Sequence, residues 1–227
     1  MSMDEAKRAA ARAAIAELPE SGTIGLGSGS TAKLFIDEVG ALVRAGRKLV
    51  GVPTSNGSRQ QAEALGIPLL SDEGPWEIDV TVDGADEVDD ALNLIKGGGG
   101  AQTREKIVNF ASSRNIIIVD QTKLSRRLGE KWAVPIEVLR FAHLQTKRML
   151  AKVGERVTMR EKDGKPWITD ANNFIYDLAV GPISDAPSLD RALRSVPGVV
   201  ETGLFVGRAD MVLVAGDAGV MRLTRPT

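Results

Sequence analysis

A short apolar run that ends abruptly in a glycine- or acid-rich loop recurs along the first half of the chain. It takes the forms IGLGSGST at 24–31, VGVPTSN at 50–56, VTVDGADEVD at 80–89, LIKGGGGA at 94–101 and IIIVDQTK at 116–123. Runs this short, bounded by turn residues, read as buried strands. Between them, 31–44, 57–65 and 102–113 carry helical periodicity, as does the alanine-rich stretch 4–18. Leu34, Phe35, Val39 and Leu42 fall on one side of 31–44. Strands are expected at 22–26, 48–52, 67–70, 78–82, 92–95 and 115–119. Strands alternating with helices build a mostly parallel α/β sheet, because parallel neighbours need a crossover. Ligands of open parallel sheets sit beyond the carboxyl ends of the strands. The polar loops at 25–32, 53–56, 83–89, 96–101 and 120–123 therefore predict one composite pocket.

The pattern changes after residue 131. Residues 141–153 look helical, and RVTMRE and PWITDANNFIYDLAV flank KDGK, whose Asp163-Gly164 is a hairpin turn signal. SLDRALRSV reads as a helix with Ser188 as its N-cap, and ADMVLVAG as a last strand. The expected organisation is an α/β domain over 1–132 plus 203–227, interrupted by a small α+β domain over 133–202.

Composition removes several chemistries. The 227 residues include no cysteine, so disulfides, thiolate nucleophiles and Cys-ligated zinc are excluded. One histidine, His143, rules out a His-rich metal site and leaves a carboxylate as the better base; it reads as a surface or core-edge residue. A net charge of −1 argues against a general nucleic-acid or membrane-surface binder. No run approaches the roughly 18 apolar residues of a membrane-spanning helix. The first residues lack the apolar core and cleavage site of a signal peptide.

Three loops carry the chemistry. Backbone N–H groups at the GLGSGSTA turn and the following helix N-terminus can bind an anion, with Ser28, Ser30 and Thr31 adding hydroxyls. The stretch lacks the P-loop spacing and the dinucleotide fingerprint. A tight turn capped by Ser and Thr accounts for it equally well. DGADEVDD places five acids in eight residues, which fits either a magnesium site or a solvated acidic loop. Asp83 follows a buried-type strand and Asp86 lies three residues on; two close carboxylates have separated pKa values, which suits proton shuffling. Four consecutive glycines at 97–100 cost conformational entropy and make sense where backbone passes close to a ligand. Lys96 precedes them, and Glu105 and Lys106 open the next helix. Lys123 is a further cation at a strand end, and Lys7 a weaker one on the first helix.

GLGSGST, DGADEVD, KGGGGAQTREK, DQTK and VPIEV, in that order and spacing, closely resemble the type A ribose-5-phosphate isomerases. AKRAAARAAI and VPGVVETGLF are also similar to that family, so the resemblance runs over nearly the whole chain. It implies interconversion of D-ribose 5-phosphate and D-ribulose 5-phosphate in the pentose phosphate pathway, without metal or organic cofactor. It also implies a Rossmann-like α/β domain with a smaller α+β domain, a cytoplasmic location, and assembly as homodimers or tetramers with contacts through the small domain. Carried over by motif, Glu105 is the catalytic base. Ser28, Gly29, Ser30 and Thr31, Asp83, Gly84, Ala85 and Asp86, Lys96, Gly97, Gly98 and Gly99, and Lys123 line the substrate site, and Lys7 lies near the phosphate. The family's TDNGN-like turn is here Thr169 to Asn173, with Ala171 expected to alter it. Leu139 to His143 is also unusual for the family, with no function assigned to it.

The resulting mechanism has Glu105 move a proton between C2 and C1 of the opened sugar. Lys96 and glycine-run N–H groups face the enediolate oxygens, and Asp83 or Asp86 handles ring opening. A sugar-phosphate sensor would carry a DNA-binding helix-turn-helix, and an amino-sugar phosphate deaminase would use a histidine. A dinucleotide oxidoreductase needs the fingerprint that is missing here.

Overall fold

The computed structural model describes residues 2–225. They fold as two compact units. The first comprises the chain up to Ala85, Arg104–Lys123, and the chain from Arg208 onward; the second comprises Asp86–Thr103 and Leu124–Gly207. Strands and helices are numbered here along the whole chain.

The first unit is the expected α/β layer structure. Its sheet contains β1 (Ser21–Leu26), β2 (Lys48–Pro53), β3 (Val80–Asp83), β6 (Asn115–Asp120), β14 (Met211–Gly216) and β15 (Gly219–Thr224), in the order β15-β14-β6-β3-β1-β2. All neighbours pair in parallel except the edge strand β15, which returns antiparallel to β14. Every residue of β6 is buried, which is why Ile116 to Val119 is an unbroken apolar run rather than an alternating one. Helices α1 (Met3–Ile15), α2 (Ser30–Arg44) and α3 (Asn56–Ala64) belong to this unit. α1 buries Ala6, Ala10, Ala11 and Ala14, a small-residue stripe at helical spacing, and starts at a capping box between Ser2 and Glu5. α2 buries Phe35, Ile36 and Val39 in a core shared with Ile24, Leu26, Val82, Ile116 and Ile118.

The second unit is built on antiparallel pairing. β7 (Val134–Val138), β8 (Arg156–Met159), β11 (Phe174–Ala179) and β12 (Val199–Thr202) form a sheet of order β12-β7-β11-β8. β9 (Glu161–Lys162) and β10 (Lys165–Pro166) make the hairpin that KDGK announced, with Asp163 and Gly164 at φ 53° and 71°. β4 (Glu87–Val88), β5 (Leu94–Ile95) and β13 (Leu204–Phe205) form a small third sheet. Helices α5 (His143–Leu150) and α6 (Ala186–Arg194) complete the unit, whose core gathers Ile136, Val138, Tyr176, Leu178, Leu150 and Leu193.

Several expectations shift. Residues 67–70 make only an isolated bridge, Gly51 with Leu69. The strand expected at 92–95 shrinks to β5 and pairs antiparallel with β4 and β13, outside the parallel sheet. The compact units group 86–103, 124–132 and 203–207 with the smaller body, where the sequence pattern placed them with the larger one. The boundary falls inside helix α4 (Gln102–Phe110), between Thr103 and Arg104. The cap of α6 is Asp185, whose carboxylate accepts from the Ser188 N–H, so Ser188 is a partner of the cap and not the cap itself. In the 169–173 turn the left-handed residue is Asn172, at φ 63°, so Ala171 imposes no strain there. Among the described residues, no helix is long and apolar enough to cross a membrane.

Candidate active site

In the first unit, the loops after β1, β2, β3 and β6 meet at the carboxyl edge of the sheet. Gly27 follows β1 and donates its N–H to Val82 O at 3.0 Å. A Cβ there would lie 2.2 Å from Asp83 Oδ1 and 2.6 Å from Asp83 Cα, so only glycine fits beside the end of β3. Asp83, 2 % exposed, accepts the N–H groups of Ser28 at 2.9 Å and Gly84 at 2.7 Å on Oδ1. Its carboxylate thus fixes the backbone of two loops. The Ser28 hydroxyl lies 2.8 Å from Thr54 Oγ1 and 2.8 Å from Ser55 Oγ, beyond β2.

These bonds decide the reading of GLGSGSTA. Ser28 does not cap α2; the N-cap is Gly29, at φ 92°, and no side chain bonds the helix N-terminus. The capped turn is therefore absent, and at the start of α2 Ser30 is exposed and Thr31 half-buried. Asp120, at the end of β6, accepts from the Thr122 N–H at 2.9 Å and from the Thr122 hydroxyl, which sets the one-turn 3-10 helix Gln121–Lys123. Lys123 is half-buried, and Lys7 is half-buried as well. Glu105, 5 % exposed, sits in the first turn of α4.

In the second unit, Lys96 follows β5, is 3 % exposed, and places its ammonium 5.4 Å from the centroid of the Phe205 ring. Its N–H donates to Gly203 O at 2.9 Å. The glycine run is required mainly by the protein's own atoms. A Cβ on Gly97 would meet Gln102 Oε1 at 2.7 Å, one on Gly98 would meet Asp86 Oδ1 at 2.6 Å, and one on Gly100 would meet Trp167 Nε1 at 2.6 Å. Of the four, only Gly99 opens on empty space. Asp86, half-buried, accepts the Gly98 N–H at 2.7 Å.

The acidic loop is neither a solvated face nor a cluster of converging ligands. Besides Asp83 and Asp86, buried Glu87 accepts from Gly129 N at 2.8 Å and Lys131 N at 3.0 Å, and Asp89 from Ala91 N and Asn93 N. Each of these acids holds backbone. Among the described residues, no group of three or more histidine or acidic side chains converges to hold a metal ion.

Sequence reasoning missed two supports. Glu137, 1 % exposed near the end of β7, accepts hydrogen bonds from Thr103, from Thr169 at 2.8 Å and from Asn173 at 2.9 Å. It anchors the start of α4, two residues before Glu105. A charged residue inside the apolar run VPIEV was the available signal, because a buried carboxylate demands partners. The second support is Arg160, whose place in the sequence carries no such mark. His143 is the core-edge residue expected: its ring packs edge-on to Phe174 at 4.9 Å, and Nδ1 lies 2.7 Å from the Tyr176 hydroxyl. Burial pushes the Tyr176 pKa up, which keeps that hydroxyl in its neutral form.

Comparison with known proteins agrees with this architecture. The family model of ribose 5-phosphate isomerase A (phosphoriboisomerase A) matches residues 50–219. The ribose-5-phosphate isomerase A of Desulfatibacillum aliphaticivorans is 46 % identical over 225 residues, covering 98 % of either chain. The solved ribose 5-phosphate isomerase A of Methanocaldococcus jannaschii is 39 % identical with a TM-score of 0.93, over 99 % of this chain and 100 % of that one. A D-ribose-5-phosphate isomerase solved in complex with phospho-erythronic acid is also 39 % identical, with a TM-score of 0.95 over 99 % of this chain and 100 % of that one.

Proposed function

The chain belongs to the ribose 5-phosphate isomerase A family, whose members are aldose–ketose isomerases, and on that premise we propose an enediolate mechanism with Glu105 as general base. The substrate is D-ribose 5-phosphate, the product D-ribulose 5-phosphate, and the setting the non-oxidative pentose phosphate pathway. The observation that carries the reading is the match over nearly the full chain, with a buried carboxylate in the first turn of α4.

The substrate is mainly a furanose, so one of Asp83 and Asp86 takes the ring hydroxyl proton and returns one to the ring oxygen. Glu105 then removes the C2 proton and delivers it to C1. Lys96 and the N–H groups of Gly97 and Gly99 face the negative charge that develops on the two oxygens, while Gly98 between them is held on Asp86. Gly84 and Ala85 line the sugar beside the aspartates. The phosphate is held at the α2 N-terminus by Gly29, Ser30 and Thr31, with Ser28 behind them; the missing side-chain cap of α2 supports this. Lys123 and Lys7 balance its charge. No cofactor enters any step. A sugar phosphate does not cross a bilayer unaided, so the enzyme shares its substrate's compartment, which supports a cytoplasmic location. Exposed Leu139, Phe141, Leu144 and Ile168 in the second unit support self-association as a dimer or tetramer.

The test is turnover of ribose 5-phosphate without added cofactor and after exhaustive EDTA treatment, beside the Glu105→Gln variant. Wild type is expected to turn over in both conditions. The variant is expected to fold normally and lose about a thousandfold in kcat, with KM little changed. No turnover by the wild type overturns the reading; a loss of only a few-fold in the variant removes Glu105 as the base.

A further inference from the structure

We propose that Arg160 is a positioning residue for the isomerisation: it clamps two consecutive peptides of the glycine run so that the Gly99 N–H is presented as a fixed donor. Arg160 follows β8, and its side chain is 14 % exposed. Nη1 donates to Gly97 O at 2.6 Å and to Gly98 O at 3.2 Å. The other edge of the guanidinium meets the Asp177 carboxylate, with Nε donating to Oδ2 at 3.0 Å and Nη2 to Oδ1. The main chain of Arg160 is held as well, its N–H donating to Ile175 O at 2.9 Å and its carbonyl accepting from Trp167 N at 2.8 Å.

The consequence follows from peptide planarity. In a trans peptide the C=O and the next N–H point in opposite directions. Fixing the carbonyls of Gly97 and Gly98 on Arg160 therefore turns the N–H groups of Gly98 and Gly99 away from it. The Gly98 N–H is found where this predicts, on Asp86 Oδ2 at 2.7 Å. Gly99 is the residue of the run with open space around it, and its N–H has no protein partner among the described residues. Glycine backbone flips readily between conformations. A donor on such a loop stabilises developing charge only if it is oriented beforehand, which is what the clamp supplies. The guanidinium also draws electron density from both peptides and makes their N–H groups stronger donors. Lysine cannot replace it, because a single ammonium cannot grip a carboxylate and two carbonyls in one plane.

The inference rests on the isomerase reading given above, and the experiment separates the two. Wild type, Arg160→Gln and Arg160→Lys are compared as full chains for kcat, KM and thermal stability. Their affinities are measured for 4-phospho-D-erythronate, whose planar carboxylate imitates the enediolate, and for ribitol 5-phosphate, which carries no such charge. In both variants kcat is expected to fall by about 100-fold with KM within about threefold. Affinity for phospho-erythronate is expected to fall in step with kcat, and affinity for ribitol 5-phosphate to stay. Unchanged kcat, or equal loss of both affinities, overturns the clamp. Should Arg160→Gln not fold, Arg160→Lys decides by the same criteria. An inactive wild type would instead overturn the isomerase reading itself.

Discussion

The loop at 27–29 and the glycine run at 97–100 face one problem, since each must hold a flexible glycine backbone in a single shape, and they solve it by different means. The first loop is fixed by what the parallel sheet brings beside it: the Asp83 carboxylate on the neighbouring strand and the hydroxyls of Thr54 and Ser55 beyond the strand on its other side. Its tolerance is that of close packing. The second is fixed by side chains whose sequence separation is large, with Arg160 gripping Gly97 from 63 positions away. Its tolerance is that of an ion pair with hydrogen bonds, and one of its glycines is left open. The contrast teaches that glycines of similar appearance in sequence have opposite duties, some admitting the protein's own atoms and others, Gly29 and Gly99, leaving room for something else.

The strongest way to break this contrast is to add one methyl group to each loop. Gly27→Ala forces a Cβ into Asp83 backbone and side chain, and is expected to cost about 3 kcal/mol or more, read as a lower Tm or insoluble protein. Gly99→Ala meets nothing within 4 Å and is expected to leave stability within about 0.5 kcal/mol of wild type. Its kcat/KM should nevertheless fall about tenfold, because a methyl group occupies the open side. Equal destabilisation by the two substitutions would end the distinction.

Glu137→Gln sharpens the comparison on the second unit's side. The amide must set an N–H₂ against donors from Thr103, Thr169 and Asn173, which is expected to cost about 1–3 kcal/mol in urea unfolding. Because Thr103 lies in the first turn of α4, kcat should fall with stability.

The smallest effect concerns a cap remote from both loops. The Ser188 hydroxyl and N–H hold the Asp185 carboxyl below the usual aspartate range. A folded-state pKa that is lowered means stability present above the unfolded value and lost as pH falls through the folded one. Asp185→Asn keeps a capping oxygen without the charge, so its slight deficit in Tm at neutral pH should close on acidification. A deficit independent of pH would show that the charge at α6 is irrelevant.

Much of the first unit was legible because its rules are local. An apolar run such as NIIIVD, bounded by turn residues, declares a strand buried on both faces, and the loop after it declares the ligand edge. Glycine-rich and acidic stretches could be located in the same way, but not explained. Their composition fits a magnesium loop, a solvated face or a set of backbone latches equally well.

By itself, then, the sequence determined the alternation of elements, the parallel sheet, the absence of thiol chemistry and a resemblance strong enough to name the reaction. Only the tertiary structure decided that Ser28 bonds Thr54 and Ser55 instead of capping α2, that Asp83, Asp86, Glu87 and Asp89 hold backbone N–H groups, and that β5 pairs antiparallel with β4 and β13. Only it brought Arg160 onto the glycine run and Glu137 onto the Thr103 hydroxyl. The reason is physical. Periodicity records which side of an element is buried, within a few residues. A hydrogen bond between side chain and backbone depends on chain segments that meet only after folding, and leaves no period behind.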